Sequence, residues 1–141
     1  MKVQPYLFFE GRCEEALQFY RSAIGAEIGM LMRFRESPKP SKMPLPSGSD
    51  DKIMHADFKV GGTQLLTSDG LCSGKSRLAG TSLALEAAAA ASAERLFKAL
   101  VEGGDVQLPI GKTFFSPAFG AITDRFGLTW MVMAAPSDAT S

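Results

Sequence analysis

The sequence predicts an α+β fold made of two tandem βαβββ modules, on three observations. Phe19-Tyr20-Arg21 and Leu96-Phe97-Lys98 occupy matching places in two helix patterns at an offset of 77 residues, as duplication of one supersecondary unit would leave them. Gly61-Gly62 separates two strand-like runs in the manner of a two-residue hairpin turn. Finally, Ser116 to Met133 reads as a strand, a tight Asp124-Arg125-Phe126-Gly127 turn and a second strand. Gly127 supplies the positive φ that such a turn needs.

The first module opens on Pro5–Phe9, a short run of apolar residues expected of a strand covered on both faces. A helix is predicted from about Arg12 to Ile24. Cys13, Ala16, Leu17, Tyr20 and Ile24 fall on one side, and Glu14, Glu15, Gln18 and Arg21 on the other. Gly25 ends the helix as a C-cap. Strands follow over Glu27–Arg35, Lys52–Val60 and Thr63–Ser68. Between the first two, Pro38, Pro40, Pro44 and Pro46 break any ladder, so 36–51 is read as a long connection. It is either a solvated loop or a flap over a site, since long loops in compact domains often serve as lids.

The second module opens on a strand, Thr81–Glu86. The Ala87–Ala91 run either extends the helix after it or is a linker. That helix turns Leu96, Phe97, Leu100 and Val101 inward and Glu94, Arg95, Lys98 and Glu102 outward, and Gly103-Gly104 ends it. Strands are expected over Val106–Ile110, Ala118–Asp124 and Leu128–Ala134. The modules thus span about 3–70 and 78–134, with 135–141 as a tail.

At 141 residues the chain suits one domain with a real core and is too short for two conventional ones. Fifteen basic and fifteen acidic residues cancel, so no net field draws it to nucleic acid or to an acidic membrane. No apolar run reaches the length of a membrane span, and the N-terminus lacks a signal peptide's apolar stretch. Cys13 and Cys72 lack metal-type spacing and are read as free thiols. The compartment expected is the cytoplasm.

The closing hairpin resembles that of the vicinal-oxygen-chelate superfamily, the glyoxalase and bleomycin-resistance type of fold. Its Asp124-Arg125-Phe126-Gly127-Leu128-Thr129-Trp130 wording is similar to the PhnB-like branch. The resemblance covers about 3–134 and implies a curved mixed sheet with helices on its convex side and a cleft on its concave side. Metal-dependent members of the superfamily hold a divalent ion in that cleft through His and Glu. Carried over by position, those ligands fall on Pro5, on Leu65 or Leu66, on Thr81 and on Met131. None of these suits the ion, and a one-residue slip to Gln64 or Ser82 does not restore the set. No metal and no cofactor are therefore expected.

Strand alternation turns Met54, Ala56, Phe58 and Val60 toward the helix, and Ile53, His55, Asp57 and Lys59 toward the cleft or its rim. Cleft candidates are Leu7, Phe9, His55, Leu66, Ser68, Asp69, Met131 and Met133. His55, the one histidine, is a hydrogen-bonded strand residue, a cleft acid or base, or a metal ligand. Ser68 and Asp69, in Thr67-Ser68-Asp69-Gly70, either supply turn chemistry or contact a ligand at the cleft mouth. Asp124 and Arg125 read as a turn cap and a rim charge rather than as catalytic groups. Trp130, opposite in phase to Met131, reads as core.

PhnB-like sequences often carry a ubiquinone-pathway methyltransferase label. A Rossmann-type methyltransferase needs alternating parallel βα units and a glycine-rich turn after the first strand. Gly61-Gly62 opens no helix, and no phosphate-binding loop or nucleophile elbow is present, so the label is rejected. The expectation is a metal-free small-molecule-binding protein with a partly apolar ligand, working as a homodimer. The alternatives are an atypical metal-dependent lyase, dioxygenase or thiol transferase, and a structural protein with a vestigial cleft.

Overall fold

The structure, a computed structural model, describes residues 1–38 and 44–136. The chain divides into two compact units, Met1–Arg77 and Leu78–Ser141.

In the first unit the order is β1 (Tyr6–Phe8), α1 (Cys13–Ile24), β2 (Glu27–Arg33), a 3₁₀ turn (Phe34–Glu36), β3 (Ile53–Val60) and β4 (Thr63–Ser68). The four strands form one mixed sheet in the order β1-β4-β3-β2, with β1 parallel to β4 and the other pairs antiparallel. The second unit repeats this with β5 (Ser82–Ala87), α2 (Ala90–Leu100), β6 (Asp105–Gly111), β7 (Phe119–Thr123) and β8 (Thr129–Ala134). Its sheet runs β5-β8-β7-β6, again with one parallel pair, β5 with β8. Each unit is therefore a βαβββ module, and all eight expected strands and both helices are present.

Each helix buries an apolar stripe on its own sheet. In α1, Cys13, Ala16, Leu17 and Tyr20 are fully buried, and the Tyr20 ring lies 6.1 Å from that of Phe58 on β3. Gly25, at φ +69, ends the helix in the left-handed conformation that glycine adopts without strain. In α2, Ala93, Phe97 and Leu100 are buried, while Leu96 and Val101 are half-buried. A Cβ on Gly120 of β7 would meet Phe97 Cε2 at 2.8 Å, so the repeated aromatic is accommodated in this module by a missing side chain.

The differences from expectation are local. Ala87 ends β5 and α2 starts at Ala90, so the alanine run divides between the two. β2 stops at Arg33, where the 3₁₀ turn begins. Arg33 there donates twice to Glu14 of α1, at 2.6 and 3.1 Å, and once to the Asp51 carbonyl. Ile53, expected on the open face, is fully buried. A register shift in the β2–β3 pairing at Met32/Arg33 breaks the alternation there. Of the 36–51 connection, 39–43 lie outside the described residues, as do 137–141 of the tail. The far end of the connection is tied down by an Arg35–Asp51 ion pair and a Ser49 hydroxyl donating to the Pro46 carbonyl. Among the described residues no helix is long and apolar enough to cross a membrane.

Candidate functional site

The phase of β1 determines which side chains the first sheet leaves open. Leu7 is aligned with Thr67 of β4, which in turn is aligned with Ala56 of β3. The Thr67 hydroxyl lies 3.4 Å from Cys13 Sγ on α1, so this row faces the helix. Phe9 is 2% exposed, and its ring lies 6.1 Å from that of Tyr20 on α1. Leu7 and Phe9 are thus core residues of the helix side and not cleft residues. The expectation of a strand covered on both faces fails with them, because Tyr6 and Phe8, 37% and 47% exposed, occupy the other face. β1 is apolar at every position, so alternation alone left its phase open.

On that open face three aromatic side chains come together. Tyr6 and Phe8, two residues apart on β1, stack with ring centroids 4.8 Å apart and planes 26° apart. Tyr6 Oη lies 2.8 Å from His55 Nδ1, joining β1 to β3 across β4, and the two rings are 5.6 Å apart. Leu66 of β4 is aligned with both Tyr6 and Asp57, half-buried between them. Asp57 leans toward β2, over Gly29, where any side chain would collide with its carboxylate. His55 and Leu66 therefore lie on the open face. Tyr6 and Phe8 are the members that the sequence reasoning missed.

Ser68 and Asp69 serve the fold. Ser68 is 3% exposed, and its hydroxyl oxygen accepts the Gly70 N–H at 3.0 Å. Asp69 is 1% exposed and accepts three backbone N–H groups, those of Gly11 (2.7 Å), Cys13 (2.8 Å) and Ile53 (2.8 Å). Arg12, at the α1 N-cap, makes no side-chain cap bond. Asp69, 56 residues beyond Cys13 in sequence, accepts the Cys13 N–H and so satisfies a first-turn donor in its place. Both of its oxygens are engaged by backbone N–H groups of the protein.

The closing hairpin is likewise structural. Gly127 has φ +92, and its N–H donates to the Asp124 carbonyl at 3.0 Å. The Asp124 carboxylate, 3% exposed, accepts the N–H groups of Phe126 and Leu128 and the indole N–H of Trp130. Arg125 donates twice to the carbonyl of Glu102, just beyond α2, at 3.0 and 3.1 Å. Trp130 is 2% exposed, on the side of Gly120 and Val132 that α2 covers. Met131 and Met133 are half-buried on the opposite face of this second sheet, beside Ala121 and Phe119.

Neither cysteine is activated. Cys13 and Cys72 are free thiols. Burial pushes the Cys13 thiol up to about 12, against a smaller opposing effect of its contact with Thr67. Burial also raises the Cys72 thiol. Thiolate, the reactive form, is scarce at both.

The positions at which a superfamily metal would be held offer no imidazole or carboxylate. Leu66 and Met131 sit on open faces, and the Pro5 carbonyl accepts the Leu66 N–H at 2.9 Å. Among the described residues no three His, Cys, Asp or Glu side chains are grouped so as to hold a metal ion. The residues present do not fit a divalent ion.

Residues 1–133 match the family described as 3-demethylubiquinone-9 3-methyltransferase. This chain belongs to that family. It is 32% identical to the protein YjdN of Escherichia coli K12, over 99% of each chain. Its fold matches the crystal structure of PA1353 from Pseudomonas aeruginosa with a TM-score of 0.83 at 40% identity, over 97% of this chain and 99% of that one. The PhnB protein of Bacillus cereus matches with a TM-score of 0.77 at 26% identity, over 96% and 100%. Fold likeness alone extends to the fosfomycin resistance protein FosX of Listeria monocytogenes, TM-score 0.64 at 9% identity over 98% and 95%. The resemblance to PhnB and the glyoxalase-like fold are both borne out.

Proposed function

We propose that this member of the PhnB/YjdN family is a metal-free small-molecule-binding protein whose ligand is partly apolar. The observation that carries the reading is the open face of the first sheet. There Tyr6 and Phe8 stay 37% and 47% exposed on a strand whose other face is core. Large aromatic surface beside few polar points suits an organic ligand held by burial and oriented by one or two hydrogen bonds. Met131 and Met133 give the second sheet an adaptable apolar surface of the same kind. Methyl transfer is not part of the proposal. Each sheet has two antiparallel pairs and one parallel pair, unlike the parallel, doubly wound sheet that carries a Rossmann-type nucleotide site.

The test is thermal-shift screening against a library of metabolites and antibiotics, since a site binder raises apparent stability by mass action. A saturable rise with an apolar organic compound in metal-free protein supports the reading. No stabilising compound, or stabilisation by divalent metal alone, overturns it. We further propose a homodimer. β2 and β6 are edge strands, and β6 exposes Val106 and Leu108, an arrangement that invites pairing with another chain. A monomeric mass by light scattering at micromolar concentration rules this out.

A further inference from the structure

We infer that Phe8, Tyr6 and His55 form one recognition element for a planar aromatic ligand that carries a neutral oxygen acceptor, such as an aryl ketone. This rests on the small-molecule reading above and names the chemistry of its ligand.

The Tyr6–Phe8 stack is a flat apolar surface made before any ligand arrives, with rings 26° from parallel. A third ring laid against it extends the stack, and offset-stacked rings gain beyond the area they bury. A saturated ring of the same size cannot match that contact. The polar end of the element is His55. Its Nδ1 is engaged by Tyr6 Oη at 2.8 Å, which sets the plane of the imidazole. Among the described residues Nε2 makes no hydrogen bond to the protein. In the tautomer in which the phenol donates to Nδ1, the ring proton sits on Nε2, which then offers a donor to a ligand. An acceptor oxygen on the ligand is therefore the matching group. Asp57 lies two residues along β3 and pairs with Leu66, which pairs with Tyr6. No Lys or Arg is aligned in this row of Tyr6, Leu66 and Asp57 to pair with an anion, so the acceptor is neutral. Leu66, half-buried between Tyr6 and Asp57, supplies the apolar floor.

The single histidine makes the test direct, because one imidazole gives one set of ring resonances. Metal-free protein is titrated with 4-hydroxyacetophenone, cyclohexyl methyl ketone, ethylbenzene and benzoate while the His55 ring ¹⁵N and ¹H signals are followed. The expected result is a saturable shift with 4-hydroxyacetophenone, centred on Nε2, and binding at least about tenfold weaker for the other three. Phe8→Ala should weaken the aryl ketone about tenfold, the scale of one lost aromatic contact. Tyr6→Phe keeps the stack but frees Nδ1, and should erase the preference for the ketone over ethylbenzene. Folding of each variant is checked by circular dichroism and melting, and the half-exposed Phe8 can be removed without opening the core. Equal binding of cyclohexyl methyl ketone, or no saturable His55 shift, overturns the inference. A library compound whose binding survives substitution of Tyr6, Phe8 and His55 also overturns it, while leaving the small-molecule reading intact.

Discussion

The indole N–H of Trp130 donates to the carboxylate of Asp124 at 2.9 Å, so the residue that shapes the closing turn also anchors the largest buried side chain. The pair joins a turn to a core. Two further N–H groups, from Phe126 and Leu128, end on the same carboxylate.

Asp124→Ala therefore removes the acceptor of three buried hydrogen bonds rather than loosening one turn. A turn cap alone is worth about 1 kcal/mol, whereas several lost bonds to a buried carboxylate bring the cost to about 3 kcal/mol or more. Urea unfolding followed by Trp130 fluorescence measures this. A loss near 1 kcal/mol would mean that the indole bond contributes nothing.

Cys13 carries a second prediction, in alkali. Its thiol is raised to about 12 in the folded chain, against roughly 8.5 when unfolded. Between those values the folded state keeps a proton that the unfolded state has released. Stability should thus fall as pH rises above about 8.5, by up to about 1.4 kcal/mol per pH unit from this group. Cys13→Ala should remove that component of the slope while lowering stability at neutral pH. Equal slopes for wild type and variant would refute it.

At the acid end the relevant group is Glu14. The double hydrogen bond from Arg33 holds its carboxyl below the ordinary value, with burial opposing more weakly. A lowered carboxyl contributes stability above its unfolded value, about 4.3, and loses it as pH falls through the folded value. The pair is half-exposed on the Glu14 side, so solvent screening keeps the effect small. Glu14→Gln should be less stable than wild type at pH 7, and the gap should close as the solution is acidified below about pH 4. A gap independent of pH would assign the cost to packing.

Protein purified without chelator should contain far less than one divalent metal ion per chain, and added chelator should leave its melting temperature unchanged. Among the described residues no three carboxylate, imidazole or thiol donors are grouped, and one or two such ligands seldom retain zinc or manganese against buffer. Elemental analysis showing a stoichiometric metal that disappears in His55→Ala would favour an atypical metal-dependent enzyme.

The fold was legible because its signals are periodic or conformational. The Phe19-Tyr20-Arg21 and Leu96-Phe97-Lys98 echo marked the duplication, and Gly25, Gly61 and Gly127 each fall where the backbone takes a positive φ. The site was less legible for a physical reason. A half-exposed strand announces its phase by alternating polarity, and Pro5–Phe9 has none to show apart from the phenol tip of Tyr6. His55 stands out as a lone titratable side chain between apolar neighbours, but its partner could be known only from the β1–β4–β3 register. The reach of Asp69 was hidden for the converse reason. Its spacing is that of a turn residue, and nothing local reveals that the N–H groups it holds belong to a helix and a strand distant in sequence.

That distance bears on how the chain leaves the ribosome. α1 is made 56 residues ahead of the carboxylate that receives the Cys13 N–H. Until synthesis passes residue 69, this N–H and the Gly11 and Ile53 groups that share the carboxylate have only water as partner. The first module therefore has no stable half-made form ending at β3, and its helix and sheet become secure together as the last strand is completed. A nascent chain arrested before Asp69 should accordingly be cut by protease along α1, and one arrested well beyond it should resist.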